Sequence, residues 1–113
     1  MTDCIFCKIA AGQIPSNKVY EDEKILAFRD LEPQAPVHVL IIPKEHIASL
    51  DDVSDQHSDV IAHLMLKIKD IAADLGLVDG YRIVINVGED GMQTVKHLHV
   101  HLLGKRRMQW PPG

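Results

Sequence analysis

Three histidines alternate with apolar residues near the end of the chain, in the run His97-Leu98-His99-Val100-His101-Leu102-Leu103. Residues two apart on a β-strand share a face. The spacing therefore predicts His97, His99 and His101 on one side and Leu98, Val100 and Leu102 on the other. The apolar side can pack on a helix, leaving three imidazoles in a row on the opposite surface. Such a row admits three readings. It can be an exposed polar strand with no task. It can ligate a metal, since imidazole is the commonest ligand, although same-face neighbours stand roughly 6–7 Å apart at Cα and a third ligand generally arrives from another element. It can also act as a nucleophile, because imidazole with a pKa of about 6.5 is neutral at cellular pH. That chemistry needs the far ring nitrogen held by an acceptor, so that the attacking nitrogen carries the lone pair. His99 alone is flanked on both sides by imidazoles able to donate to phosphoryl oxygens, which points to His99 as the attacking group.

Other chemistry-bearing residues are less telling by themselves. Cys4 and Cys7 form a Cys-x-x-Cys pair. Two thiolates one helical turn apart can share a tetrahedral zinc, but two more ligands are needed; without a preceding strand, a thioredoxin-like redox role is disfavoured. His38 lies in an apolar run and reads alone as a core histidine. Asp30 reads as a turn residue, and His57 and His63 as solvated or capping residues of a helix. No Gly-x-x-x-x-Gly-Lys-Ser/Thr loop is present, which excludes that class of nucleotide triphosphatase.

The elements that must carry these groups follow from periodicity. Residues 4–10 suit a short helix closed by Gly12 and Pro15. Residues 19–21 and 25–28 suit a hairpin with its turn at 22–24. The run Val37-His38-Val39-Leu40-Ile41-Ile42, ended by Pro43, suits a strand buried on both faces. Ser54 is a fitting N-cap for a long helix that repeats apolar residues from Val60 to Leu75 and stops at Gly76. Residues 81–86 and 98–103 suit two further strands, joined by the loop around Gly88-Glu89-Asp90-Gly91. Grouped strands with short links predict an α+β fold: an antiparallel sheet of about five strands, with one long and one short helix on one face of it.

A chain of 113 residues is one domain, residues 1–113, able to bury a core without disulfides. With 4% aromatic residues, that core rests on Ile, Leu, Val and Ala. The net charge of −4, and a basic run limited to Lys105-Arg106-Arg107, argue against nucleic acid as a partner. No apolar stretch approaches the roughly 20 residues of a membrane span. The start Met1-Thr2-Asp3-Cys4 has no signal-like character, so a cytoplasmic location is expected, where both cysteines stay reduced.

The run His97 to Leu103 resembles the signature of the histidine triad (HIT) family, His-φ-His-φ-His-φ-φ with φ apolar. Ile5-Phe6, Ala27-Phe28-Arg29-Asp30, Pro33-Gln34-Ala35-Pro36, Ile42-Pro43-Lys44, Ala73-Asp74-Leu75-Gly76, Gly80-Tyr81-Arg82, Asn86 and Gln109-Trp110-Pro111-Pro112-Gly113 are similar to its Hint-type branch at comparable places. The resemblance covers nearly the whole chain. It implies a hydrolase of purine nucleoside phosphoramidates or related adenylates, such as aminoacyl-adenylates, working through a nucleotidyl-histidine intermediate with no cofactor in the chemistry. A nucleotide-binding or protein-interaction module with vestigial activity is the alternative.

The resemblance also implies roles. His99 attacks phosphorus, His101 contacts phosphate oxygens or the leaving group, and His97 and His38 complete the histidine network. Gln93 and Thr94 match the family's nucleotide-binding polar pair before the triad; Thr94, where Ser is more usual, keeps a hydroxyl donor, and Asn86 reaches the phosphate region. Asp30 accepts the ribose hydroxyls, while Ile5, Phe6, Ile9, Phe28 and Leu31 form the base slot. Cys4, Cys7, His46 and His97 match a structural zinc set. A homodimer is implied, with the sheets joined edge to edge and Trp110 near the partner's site. Two positions depart from the branch: Met92 stands where Gly is common, and Lys96 where Tyr is common.

Overall fold

A computed structural model describes residues 3–113. In chain order the elements are α1 (Ile5–Ala10), β1 (Lys18–Glu21), β2 (Ile25–Arg29), β3 (Val37–Pro43), α2 (Ser58–Asp74), β4 (Tyr81–Val84) and β5 (Val100–Gly104), with single 3-10 turns at Leu50–Asp52 and Asp55–His57. The five strands form one antiparallel sheet in the order β1-β2-β3-β5-β4. The expected α+β sheet with one long and one short helix is therefore the fold. Among the described residues, no helix is long and apolar enough to cross a membrane.

The two helices do not share a face, contrary to the expectation from strand grouping. Alternate residues of β2 and β3 build two cores. Ile25, Ala27, Val39 and Ile41 pack with Leu64, Ile68 and Ile71 of α2. Leu26, Phe28, Leu40 and Ile42 pack with Phe6 and Ile9 of α1. All seven residues of β3 are buried for this reason, and a strand covered on both sides needs no polar face. Each large aliphatic side chain so buried contributes roughly 1.5–3 kcal/mol. The long helix keeps its 3.6-residue stripe, with Leu64, Ile68, Ile71 and Ala72 inward. Ser54 heads the 3-10 turn before α2, its N–H donating to His57 Nδ1 at 3.0 Å, so His57 is a capping residue as expected. His63 is not merely solvated. Its Nε2 lies 2.6 Å from Asp22 Oδ2 and ties α2 to the β1–β2 turn.

β5 begins at Val100, later than the alternation predicts, and β4 ends at Val84. The β3–β5 ladder stops at Ile41↔Val100. Two residues further along β3 stands Pro43, which has no N–H to continue it. The segment before β5 is held by other bonds. Leu98 N–H donates to Ile47 O at 2.7 Å. Gln93 Nε2 donates to Ala48 O at 2.8 Å and Val95 O at 3.0 Å, and Asn86 Nδ2 donates to Gly91 O at 2.6 Å. Met92 has φ 59° and is exposed, so this position favours a residue without a Cβ.

Gly91 is under a tighter constraint: a Cβ there would meet the main-chain oxygen of Val87 at 2.3 Å. Gly91→Ala is expected to destabilise the chain by about 1–3 kcal/mol. Urea unfolding with an unchanged midpoint would contradict this account of the loop.

Candidate active site

The triad meets a roof, not open solvent. His97 and His99 are 0% and 6% exposed, because α1 lies over them. The Phe6 ring stands edge-on to His97 at 5.9 Å and to His99 at 5.1 Å between centroids. The expected shared face holds, while the expected exposure of all three imidazoles does not. The alternation lacked the signal that a six-residue helix closes this side.

The hydrogen-bond partners assign the ring protons. His99 Nδ1 lies 2.6 Å from the His97 carbonyl oxygen. A carbonyl only accepts, so Nδ1 carries the proton and Nε2 the lone pair. On β3, Gln34 N–H donates to His38 Nδ1 at 3.0 Å, which leaves the proton on His38 Nε2. That nitrogen lies 2.9 Å from His101 Nδ1 and donates to it. His101 Nε2 is then an N–H donor. The neighbouring rings thus present opposite polarity: a lone pair on His99 and a proton on His101, 5.1 Å apart between centroids. Burial, then the neighbouring His99 and His38, pushes His101 down to about 4. Burial also lowers His38, against the opposing pull of Asp30, whose Oδ2 is 3.5 Å from His38 Nε2.

His99 and His101 line a cavity of about 290 Å³. The residues expected for an apolar slot, Ile5, Phe6, Ile9, Phe28 and Leu31, all line it, together with Asp30 and Thr94. Ile14, Pro15, Ser16, Asn17, Arg29, Leu40 and Val95 complete the lining; the residues after α1 carry no chemical motif that could have marked them. Ser16 Oγ is buried there without a hydrogen-bond partner among the described residues. Asn86 and Gln93 do not line the cavity. Their amides brace the preceding loop.

His97 turns away from the cavity. Its Nε2–H donates to Pro43 O at 2.8 Å, so Nδ1 carries the lone pair. That nitrogen faces Cys4 Sγ at 3.3 Å and Cys7 Sγ at 3.5 Å, and His46 Nδ1 lies 3.2 Å from Cys7 Sγ. The four donor atoms lie within 4.8 Å of one another. Tetrahedral zinc with ordinary Zn–S and Zn–N bonds would separate S from N by about 3.5 Å, so the donor set and its spacing fit that ion. Burial first, and then the neighbouring Cys4, pushes the Cys7 thiol up to about 11; a bound cation would favour its thiolate. The three triad imidazoles do not converge on one point, so the metal-triad reading lacks its geometry.

A family model, HIT domain, matches residues 11–108. This chain belongs to the HIT family. A HIT-like protein of Synechococcus elongatus is 56% identical over 98% of this chain and 97% of its own length. A "14 kDa zinc-binding protein" of Zea mays is 53% identical over 96% of this chain and 87% of its own. Among solved structures, a HIT family hydrolase from Legionella pneumophila has a TM-score of 0.95 and 54% identity, covering 98% of this HIT chain and 100% of the neighbour. A histidine triad protein from Clostridium difficile has a TM-score of 0.92 and 49% identity, over 96% of each chain. This HIT protein therefore shares the fold of HIT family hydrolases.

The neutral rings make stability depend on pH. His38 and His101 both titrate below the usual 6.5 when folded. Between about pH 4 and 6.5 the unfolded chain therefore binds more protons, and the stability from these groups falls as pH falls through that window. The melting temperature should drop from pH 7 to pH 4.5, and His101→Gln should flatten the slope. A variant with the slope of the parent would refute the assignment.

Proposed function

We propose that this HIT protein hydrolyses the P–N bond of purine nucleoside 5'-phosphoramidates, or cleaves related adenylates, through a covalent nucleotidyl-His99 intermediate. The observation that carries the reading is the His99 Nδ1–H bond to the His97 carbonyl, which leaves Nε2 with a lone pair in a cavity whose walls suit a nucleoside. The base would lie between Ile5, Phe6, Ile9, Phe28 and Leu31. The ribose hydroxyls would donate to Asp30, a group that only accepts. Asp30 Oδ1 already takes Glu32 N–H at 2.8 Å, which holds the carboxylate at the cavity wall.

His99 Nε2 would attack the α-phosphorus in line with the departing amine. The new P–Nε2 bond forms as the old P–N bond breaks, and the amine leaves with a proton passed on by the Thr94 hydroxyl, which takes one from solvent water in exchange. His101 Nε2–H would donate to a phosphate oxygen, and its charge-free state keeps it a directed donor throughout. Water then breaks the P–Nε2 bond and releases the nucleoside monophosphate. Asn86 and Gln93 would act by shaping the loop that carries Thr94.

Cys4, Cys7, His46 and His97 would hold a structural zinc, in keeping with the printed name of the maize relative. Less than half an equivalent of zinc in protein purified without added metal would overturn that reading. The chain would act in the cytoplasm, where its thiols stay reduced, and as a homodimer. β1 and β4 are the free sheet edges, and Arg82 Nη2 on β4 donates to Gln109 O at 3.0 Å, holding the tail beside that edge. Trp110, 81% exposed, would then reach the partner's site.

Rapid acid quench during turnover of adenosine 5'-phosphoramidate should trap a nucleotidyl-protein adduct by mass spectrometry, mapped to His99. His99→Ala should abolish the adduct and lower kcat more than about 10³-fold. Turnover that persists in His99→Ala would reject the nucleophile. Tight AMP binding with no turnover in the parent protein would favour a binding module instead.

A further inference from the structure

We infer that the metal cluster positions the nucleophile: an ion held by Cys4, Cys7, His46 and His97 sets the His99 ring, through the His97 main chain and through Phe6. The inference rests on the proposed roles of His99 and of the cluster, and it assigns His97 and Phe6 as positioning residues.

The first path runs through one residue. His97 is bonded at both ring nitrogens, Nδ1 toward the two sulfurs and Nε2–H to Pro43 O. Its own carbonyl accepts the Nδ1–H of His99 at 2.6 Å. A ligated Nδ1 locks the tautomer and orientation of the His97 ring, and with it the carbonyl that selects the tautomer of His99. No ladder bond of β5 does this work, because the strand starts only at Val100.

The second path runs through α1. At six residues, α1 is far too short to be stable alone. Its N-cap acceptor is Cys4 Sγ, 3.3 Å from Cys7 N, a weak sulfur bond. Cys4 and Cys7 flank Phe6 in sequence, and Phe6 touches His97 and His99. Ligation of both sulfurs therefore anchors the turn that presses Phe6 on the nucleophile and gives Ile5 and Ile9 to the cavity. Besides the edge contact of Phe6 with His97, sulfur–imidazole contacts of 3.2–3.5 Å join this turn to His46 and His97, and ligation would replace them with bonds to one ion.

The test reads His99 itself. In zinc-loaded protein, the His99 Nδ1–H should give a slowly exchanging imidazole resonance by ¹⁵N-edited NMR. Replacement of zinc by cadmium, whose longer bonds shift the ligands without unfolding the chain, should move the ring resonances of both His97 and His99. Metal-free protein and His46→Ala should lose the protected His99 signal and bind AMP about tenfold more weakly. Phe6→Leu should weaken AMP binding with the metal retained. Ile68→Val, in the α2 core on the other side of the sheet, should lower the melting temperature and leave the His99 signal and AMP affinity unchanged. The inference is overturned if cadmium exchange moves His97 alone, if the metal-free protein or His46→Ala keeps the His99 signal, if Phe6→Leu leaves AMP binding unchanged, if Ile68→Val reproduces the losses, or if the purified chain retains no metal. Absence of AMP binding by the zinc-loaded parent would count against the nucleotide reading, and the NMR arms would still decide this inference.

Discussion

A single main-chain carbonyl organises the centre of this protein. The His97 oxygen accepts the Nδ1–H of His99, and a carbonyl cannot donate in return. That one-way bond converts a symmetric imidazole into a directed group with a proton at one end and a lone pair at the other. His97 lies before β5 begins at Val100, outside the β3–β5 ladder, so its carbonyl serves a side chain. The Pro43 oxygen anchors the His97 ring from the other side.

The sheet divides the labour of packing in a way that suits such a site. One face is sealed by α2, whose aliphatic stripe supplies the larger core. The other is only partly covered, by one turn and a half of helix and the residues after it, and the uncovered part is the cavity. A rigid, doubly buried β3 thus backs His38 on the open side, and the adjacent β5 backs His101. Polar groups sit where the covering layer is thin, and apolar groups where it is thick.

Much of this was legible in the residues. Alternation in 97–103 placed the three imidazoles on one side, the run of 37–42, apolar but for His38, predicted a strand buried on both faces, and the amphipathic stripe located α2. The base slot and Asp30 came from family resemblance alone, and these residues line one cavity. Four things were not legible. The placement of α1 opposite α2 depends on which face of β2 and β3 a six-residue helix covers, and both faces are equally apolar. The late start of β5 is a property of its partner, Pro43, and not of its own composition. The loop-bracing bonds of Asn86 and Gln93 left no mark, because an amide looks the same in sequence whether it braces a loop or meets a phosphate. The Asp22–His63 bond, which crosses between distant elements, had no local signal at all.

The polarity of the His38–His101 pair originates at the backbone N–H of Gln34. A peptide amide is supplied by every residue type but proline, so no ordinary side-chain replacement at position 34 can erase it. The direction of the proton along this pair is therefore insulated from mutational drift at its source. The side chain at position 34 is free to vary while the orientation of the imidazole beside the nucleophile is inherited from the path of the chain.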